Sequence, residues 1–206
     1  MKTRVLWARH GRIANNLTGI YSGRSADRLD PTGRRQAELL ARRLALRPPD
    51  LIVTSPVARA VETAAAVAAR CGLTAAAEDY WAEIDFGLWS GLDGGAIGRG
   101  WPREWEAWRA APHETAVPGG EGLEDVRVRL RRGLARLRDE WRGKTVLIVA
   151  HDVTVRLAVL EALDLPTRSY RRFRADNASL TGIVCDPDPV RVEMVNDTGH
   201  LEELER

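Results

Sequence analysis

Residues 144–163, KTVLIVAHDVTVRLAVLEAL, set an apolar run, one histidine and a second apolar run in direct succession. Lys144 to Ala150 is short, rich in valine and isoleucine, and too continuous in its hydrophobicity to have a wet face, so it reads as a buried strand. Val153 to Leu163 is apolar almost all round and reads as a fully buried helix. A buried strand, a loop carrying His151 and Asp152, and a buried helix make one βα unit of an α/β sheet.

The same alternation extends in both directions. Arg4 to Ala8 (RVLWA) is a second short apolar run that ends at a charged pair and a glycine. A helix from about Thr32 to Leu46 follows, with Ala37, Leu40, Ala41 and Leu44 at helical spacing, and Pro48-Pro49 ends it. Asp50 to Thr54 (DLIVT) is the next strand, and Ser55-Pro56 suggests a helix start, with a capping hydroxyl and proline at the first position, running to about Arg70. Leu123, Val126, Leu130, Leu134, Leu137 and Trp141 recur every three or four residues, so residues 121–142 form the longest amphipathic helix. Two further strands are expected at Leu180–Cys185 and Val190–Val195, joined by the turn Asp186-Pro187-Asp188-Pro189. The expected architecture is an α/β three-layer sandwich, a mostly parallel central sheet with helices on both faces. No repeat, linker or composition shift divides residues 1–206, which read as one domain. A glycine- and tryptophan-rich insert at about 87–122 stands apart. It is either a lid over a site, or a short helix pinned to the core by Trp101, Trp105 and Trp108.

Composition narrows the function classes. The chain has 206 residues, 44% of them hydrophobic and 29% charged, with a net charge of +2. So small a net charge gives no field to hold a polyanion, which argues against nucleic acid as partner. No apolar run reaches the eighteen or more residues of a membrane span, and no signal-peptide core is present at the start, so a cytoplasmic protein without membrane contact is expected. Lys2 and Lys144 are the only lysines, so arginine supplies nearly all the positive charge and favours forked anion contacts. Cys71 and Cys185 are too far apart in sequence for a paired motif and read as buried free thiols. The reading allows a homodimer.

Ligands of open α/β sheets bind beyond the carboxyl ends of the strands. Arg9, His10 and Gly11 follow the first strand, Ser55, Pro56 and Arg59 the second, and His151 the strand at 144–150; Glu83 lies in another loop. Each alone is weak, because a strand-end histidine is usually structural and a lone arginine usually solvated. Two histidines, two arginines and a carboxylate at one rim ask for an anion with a nucleophile, a clamp and a proton donor. Phosphoryl transfer has that requirement. Neutral imidazole attacks phosphorus without needing a base, arginine forks match phosphate oxygens, and a glutamic acid of raised pKa can protonate the leaving oxygen.

These residues resemble the histidine phosphatase superfamily, in its phosphoglycerate-mutase-like branch. The resemblance rests on Arg9-His10-Gly11 with Asn16, on Ser55-Pro56 with Arg59 in SPVARAVETA, on Glu83 in EIDFGLWSG, on Gly119-Gly120-Glu121 in PGGEG, and on His151 in VLIVAHDVTVR. It spans nearly the whole chain. It implies that His10 is the phosphorylated nucleophile, that Arg9, Arg59 and His151 bind phosphoryl oxygens with help from Asn16, and that Glu83 is acid and base. Ser22, Gly23 and Asp152 are further candidates for substrate contact. It implies no cofactor and no metal, and a small phosphorylated metabolite as substrate.

Three departures from the family pattern stand out: Arg12-Ile13 after the first motif, Asp152 after the second histidine, and Ser90 in Trp89-Ser90-Gly91. Arg12 either adds charge at the mouth or faces solvent. A phosphomonoester hydrolase is favoured over a phosphoglycerate mutase, because the stretch from Glu83 to Pro118-Gly119-Gly120-Glu121 is short and should leave the phosphoenzyme open to water. The loops at Gly19–Gly23, Gly120–Gly122 and Phe173–Asp176 are similar to those of α-ribazole phosphatases, and a phosphoglycerate or phosphosugar substrate fits nearly as well. A non-catalytic phosphate-binding module would have no chemical reason to keep both His10 and Glu83. A metal site of His10, His151 and Asp152 lacks ligand spacing. Arg168, Arg171, Arg172 and Arg174 read as a solvated basic surface.

Overall fold

The computed structural model describes residues 2–185 and 189–204, and only the backbone of 137–139. In chain order the elements are β1 (Thr3–Arg9), α1 (Asn15–Thr18), α2 (Pro31–Ala45), β2 (Leu51–Thr54), α3 (Ala58–Cys71), β3 (Ala75–Ala77), α4 (Gly94–Gly100), α5 (Pro102–Ala110), α6 (Leu123–Glu140), β4 (Thr145–Ala150), α7 (Asp152–Ala162), β5 (Leu180–Cys185) and β6 (Arg191–Asp197). Tight 3-10 turns at Asp79–Trp81, Gly87–Trp89, Thr167–Arg172 and Gly199–Leu204 complete it.

The six strands form one mixed sheet in the order β3-β2-β4-β1-β5-β6. The first four run parallel, and β5 and β6 add an antiparallel edge. The central strands are buried on both faces with a period of two. Val5, Trp7, Val146, Ile148 and Ala150 point to one face, where α6 and α7 bring Leu130, Val155 and Ala158. Leu6, Ala8, Leu147 and Val149 point to the other, where α2 and α3 bring Leu40, Leu44, Ala64 and Val67. This is the expected α/β three-layer arrangement. The register of the central pair brings two loops together: Arg9 pairs with Ala150, so β1 and β4 end side by side and His10 N–H donates to the Ala150 carbonyl at 3.0 Å.

Most boundaries lie within two residues of expectation. The start of α3 is shifted by two: Val57, with extended backbone, is the N-cap in place of Ser55, and Ala58 is the first helical residue in place of Pro56. The Ser55 hydroxyl accepts from the Val57 N–H at 3.2 Å, closing a tight local turn that keeps Pro56 out of the helix. Strand β3 was not expected, because three exposed alanines carry no strand pattern; it forms by parallel pairing with β2. Cys71 and Cys185 are half-buried rather than buried, and neither forms a disulfide. The 186–188 part of the expected turn and the Leu137 side chain lie outside the described residues.

The glycine- and tryptophan-rich stretch folds as α4 and α5 over a third apolar cluster built on Ile84, Phe86, Trp89 and Ile97. Trp108 is buried and Trp101 and Trp105 are partly so; Trp105 and Trp108 both meet Trp89 edge-on, at 5.7 and 5.9 Å between ring centroids. The tryptophans therefore do pin a short helix to the core. Among the described residues no helix is long and apolar enough to cross a membrane.

Candidate active site

His10 is the first residue after β1 and is almost wholly buried. Its Nδ1 lies 2.7 Å from the Gly11 carbonyl, which can only accept, so Nδ1 carries the proton and Nε2 keeps its lone pair. Arg59 Nε donates to that lone pair at 3.0 Å. Burial, then Arg59 and Arg9, hold the imidazole pKa well below 6.5, so the ring is neutral at pH 7. Gly11 is required here, since a Cβ would stand 2.4 Å from the Gly33 carbonyl oxygen. From the other side the Ala178 N–H reaches the carbonyls of Arg9 and His10 at 3.0 and 3.1 Å, with Ala178 held at φ +56°.

His151 follows β4 and is completely buried, its ring centroid 5.1 Å from that of His10. Its Nε2 lies 2.7 Å from the Ser55 hydroxyl, and its Nδ1 has no hydrogen-bond partner. Burial, then Arg59 and His10, lower its pKa well below 6.5. Arg59 is buried in the first turn of α3, where its NH2 donates to the Gly23 carbonyl at 2.5 Å and its NH1 to the Ser25 carbonyl at 3.3 Å. Arg9 donates to the Ala175 carbonyl at 2.7 Å and lies 3.7 Å from Asp152, while its Nε is unpartnered.

Glu83 is 7% exposed, and its Oε1 accepts from the Ile84 N–H at 3.0 Å. Burial first, and the Asp152 charge second, raise its carboxyl from 4.5 to about 7. A neutral imidazole nitrogen, two guanidinium groups and a carboxyl poised near neutrality thus line one cavity of about 390 Å³. The arrangement can bind a dianion, attack it and supply a proton.

Asn16, Ser22, Gly23 and Asp152 line the same cavity. Asn16 Oδ1 accepts from Ile13 N–H and from Asn177, whose amide also reaches the His10 carbonyl. Ser22 accepts from Asn15 at 3.0 Å, and Gly23 stands at φ +50°. Asp152 pairs with Arg156 one helical turn on, at 2.9 Å. His151 does not line the cavity; it is completely buried beside His10.

Other residues were not foreseen. Tyr21, Phe86, Trp108 and Tyr170 form the outer walls, arriving from four separate segments. Arg171, expected at a solvated surface, is exposed but lines the cavity and donates to the carbonyls of Trp108 and Arg109. Arg168, Arg172 and Arg174 are exposed as expected and do not line it. Arg12 does not line the cavity; its part-exposed side chain pairs with Asp30 at 2.8 Å. Among the described residues no group of three or more His, Cys, Asp and Glu could hold a metal ion.

The profile of the histidine phosphatase superfamily (branch 1) matches residues 5–198. The chain belongs to this superfamily. Phosphoserine phosphatase 1 of Hydrogenobacter thermophilus is 31% identical over 201 residues, covering 98% of this chain and 95% of the relative. Among solved structures, a mycobacterial glucosyl-3-phosphoglycerate phosphatase superposes with a TM-score of 0.85 at 30% identity, covering 95% of this chain and 99% of the other. A putative α-ribazole-5'-P phosphatase from Escherichia coli gives 0.89 at 25% identity, covering 95% and 96%.

Proposed function

We propose that the chain hydrolyses a phosphomonoester of a small metabolite in two steps through phosphohistidine at His10. The observation that carries this is His10 Nε2, left with its lone pair by the Gly11 contact and held by Arg59 Nε, with the raised carboxyl of Glu83 lining the same cavity. In the first step Nε2 attacks phosphorus and the ester P–O bond breaks. The departing oxygen takes the Glu83 proton, and Arg9 and Arg59 neutralise the phosphoryl oxygens. Arg59 Nε, which donates to Nε2, turns to an oxygen of the phosphoryl group as the P–N bond forms. In the second step the Glu83 carboxylate takes a proton from water, the water oxygen attacks phosphorus, and the P–N bond breaks to regenerate neutral His10.

The three relatives take phosphorylated metabolites according to their names, which supports a small phosphorylated substrate without choosing among them. The test is labelling with phosphorylated substrate. Wild type should form an acid-labile, base-stable phosphoenzyme and turn over, and His10→Ala should do neither. Substantial turnover by His10→Ala would overturn the assignment. A panel containing phosphoserine, both monophosphoglycerates and α-ribazole 5'-phosphate, with mutase activity assayed in parallel, ranks the substrates.

A further inference from the structure

Glu121, in the PGGEG stretch, does not line the cavity, yet its carboxylate sits at the centre of a dense polar network. One oxygen accepts from the Asp85 N–H at 2.9 Å. The other accepts from Arg24 at 3.0 Å and from Arg129 at 3.2 Å. The same two arginines converge on the backbone carbonyl of Glu83, Arg24 Nε at 3.1 Å and Arg129 NH2 at 3.0 Å. Two guanidinium groups on one carbonyl oxygen repel each other, and an anion shared between them is what makes the arrangement favourable. Burial opposes ionisation of Glu121, but the hydrogen bonds from Arg129 and Asp85 and the two positive charges hold its carboxyl below the usual range.

The backbones of the two loops interlock around this network. The Glu121 N–H donates to the Asp85 carbonyl at 2.9 Å and the Leu88 N–H to the Pro118 carbonyl at 3.0 Å. A Cβ at Gly120 would stand 2.3 Å from the Asp85 oxygen, so a side chain there would push the loops apart. Arg24 also lies between Gly23 and Ser25, whose carbonyls hold Arg59. One carboxylate outside the cavity therefore ties the loop bearing Glu83 to the loop that holds the arginine clamp.

We propose that Glu121 is a positioning residue for proton transfer, acting through Arg24 and Arg129 to aim the Glu83 carboxyl at the leaving oxygen. This rests on the proposed role of Glu83. A role in positioning differs from a role in folding, because a misaimed acid harms only esters whose leaving group needs a proton.

The experiment is single-turnover phosphorylation of the full chain by ethyl phosphate and by p-nitrophenyl phosphate, in wild type, Glu121→Ala, Glu83→Gln and the double variant. Glu121→Ala should slow phosphorylation by ethyl phosphate about tenfold to a hundredfold, as befits loss of part of a general-acid contribution, and should slow it much less with p-nitrophenyl phosphate. In the Glu83→Gln background it should have little further effect on ethyl phosphate, the signature of two residues acting through one group. Arg24→Gln, at a partly exposed position, should show the same split in a milder form and serves if Glu121→Ala does not fold. Equal slowing with both esters, or effects of Glu121→Ala and Glu83→Gln that multiply, would overturn the positioning role. Absence of phosphohistidine in wild type with either ester would instead remove the proposed function itself.

Discussion

Holding Glu83 protonated near neutrality has a stability consequence that Glu83→Gln exposes. Burial raises its carboxyl from 4.5 to about 7. At roughly 1.4 kcal/mol per pH unit, ionising it in place costs about 3 kcal/mol more than ionising it in the unfolded chain. Below about pH 4.5 the group is protonated in both states and the folded protein has the full benefit. As pH rises from there to about 7, the unfolded chain releases the proton while the folded chain still holds it. Stability is lost across that window and the loss levels off above it. Glutamine cannot ionise, so the variant carries no such slope. Urea unfolding of both proteins from pH 4.5 to 8 measures the difference directly. The stability of Glu83→Gln relative to wild type should rise by about 3 kcal/mol across the series. Parallel curves for the two proteins would show that Glu83 has an ordinary carboxyl and would remove the physical basis for its role as an acid.

Neighbouring groups carry related expectations. The kcat/KM of wild type for an alkyl phosphate should fall above about pH 7, where Glu83 loses its proton, and Asp152→Asn should move that limb to lower pH by removing the second cause of the raised value. Arg59→Ala should lower kcat/KM by at least about a hundredfold, measured with the same ester, because it removes charge stabilisation at the transferring group. The aromatic outer walls should give 2-phenylethyl phosphate a kcat/KM at least about tenfold above that of ethyl phosphate, whose leaving alcohol is similarly basic.

The parts of the site that could be read in the sequence are those fixed by strand ends. A buried strand announces itself by composition, and the next residue must lie at the sheet's carboxyl edge, so Arg9, His10 and His151 could be placed from their neighbours alone. Ser55 could be placed at the end of the second strand in the same way, but not its use, since a serine before proline reads as a helix cap and its contact with His151 is a tertiary one. The outer walls were invisible for a different reason. Tyr21, Phe86, Trp108 and Tyr170 come from four segments far apart in sequence and meet only in the packed fold, a tertiary fact with no local signature. Arg171 was misjudged on the same account, since its partners are carbonyls at the end of α5. Glu121 was visible as part of a motif, but what it holds became clear only once Arg24 and Arg129 were seen on the Glu83 carbonyl.

The pairing of Arg9 with Ala150 gives the backbones of the two histidines a spacing that side chains do not control. Adjacent strands in any hydrogen-bonded sheet lie about 4.8 Å apart, and this sets the spacing of the two backbones from which the imidazoles project. Changing it would mean breaking the sheet at its centre, where β1 is paired on both sides. The walls of the cavity have no such anchor, since they come from turns and short helices that can be lengthened or replaced without disturbing a ladder. Substitutions in those segments would therefore alter what enters the cavity while leaving the spacing of the two histidine backbones unchanged.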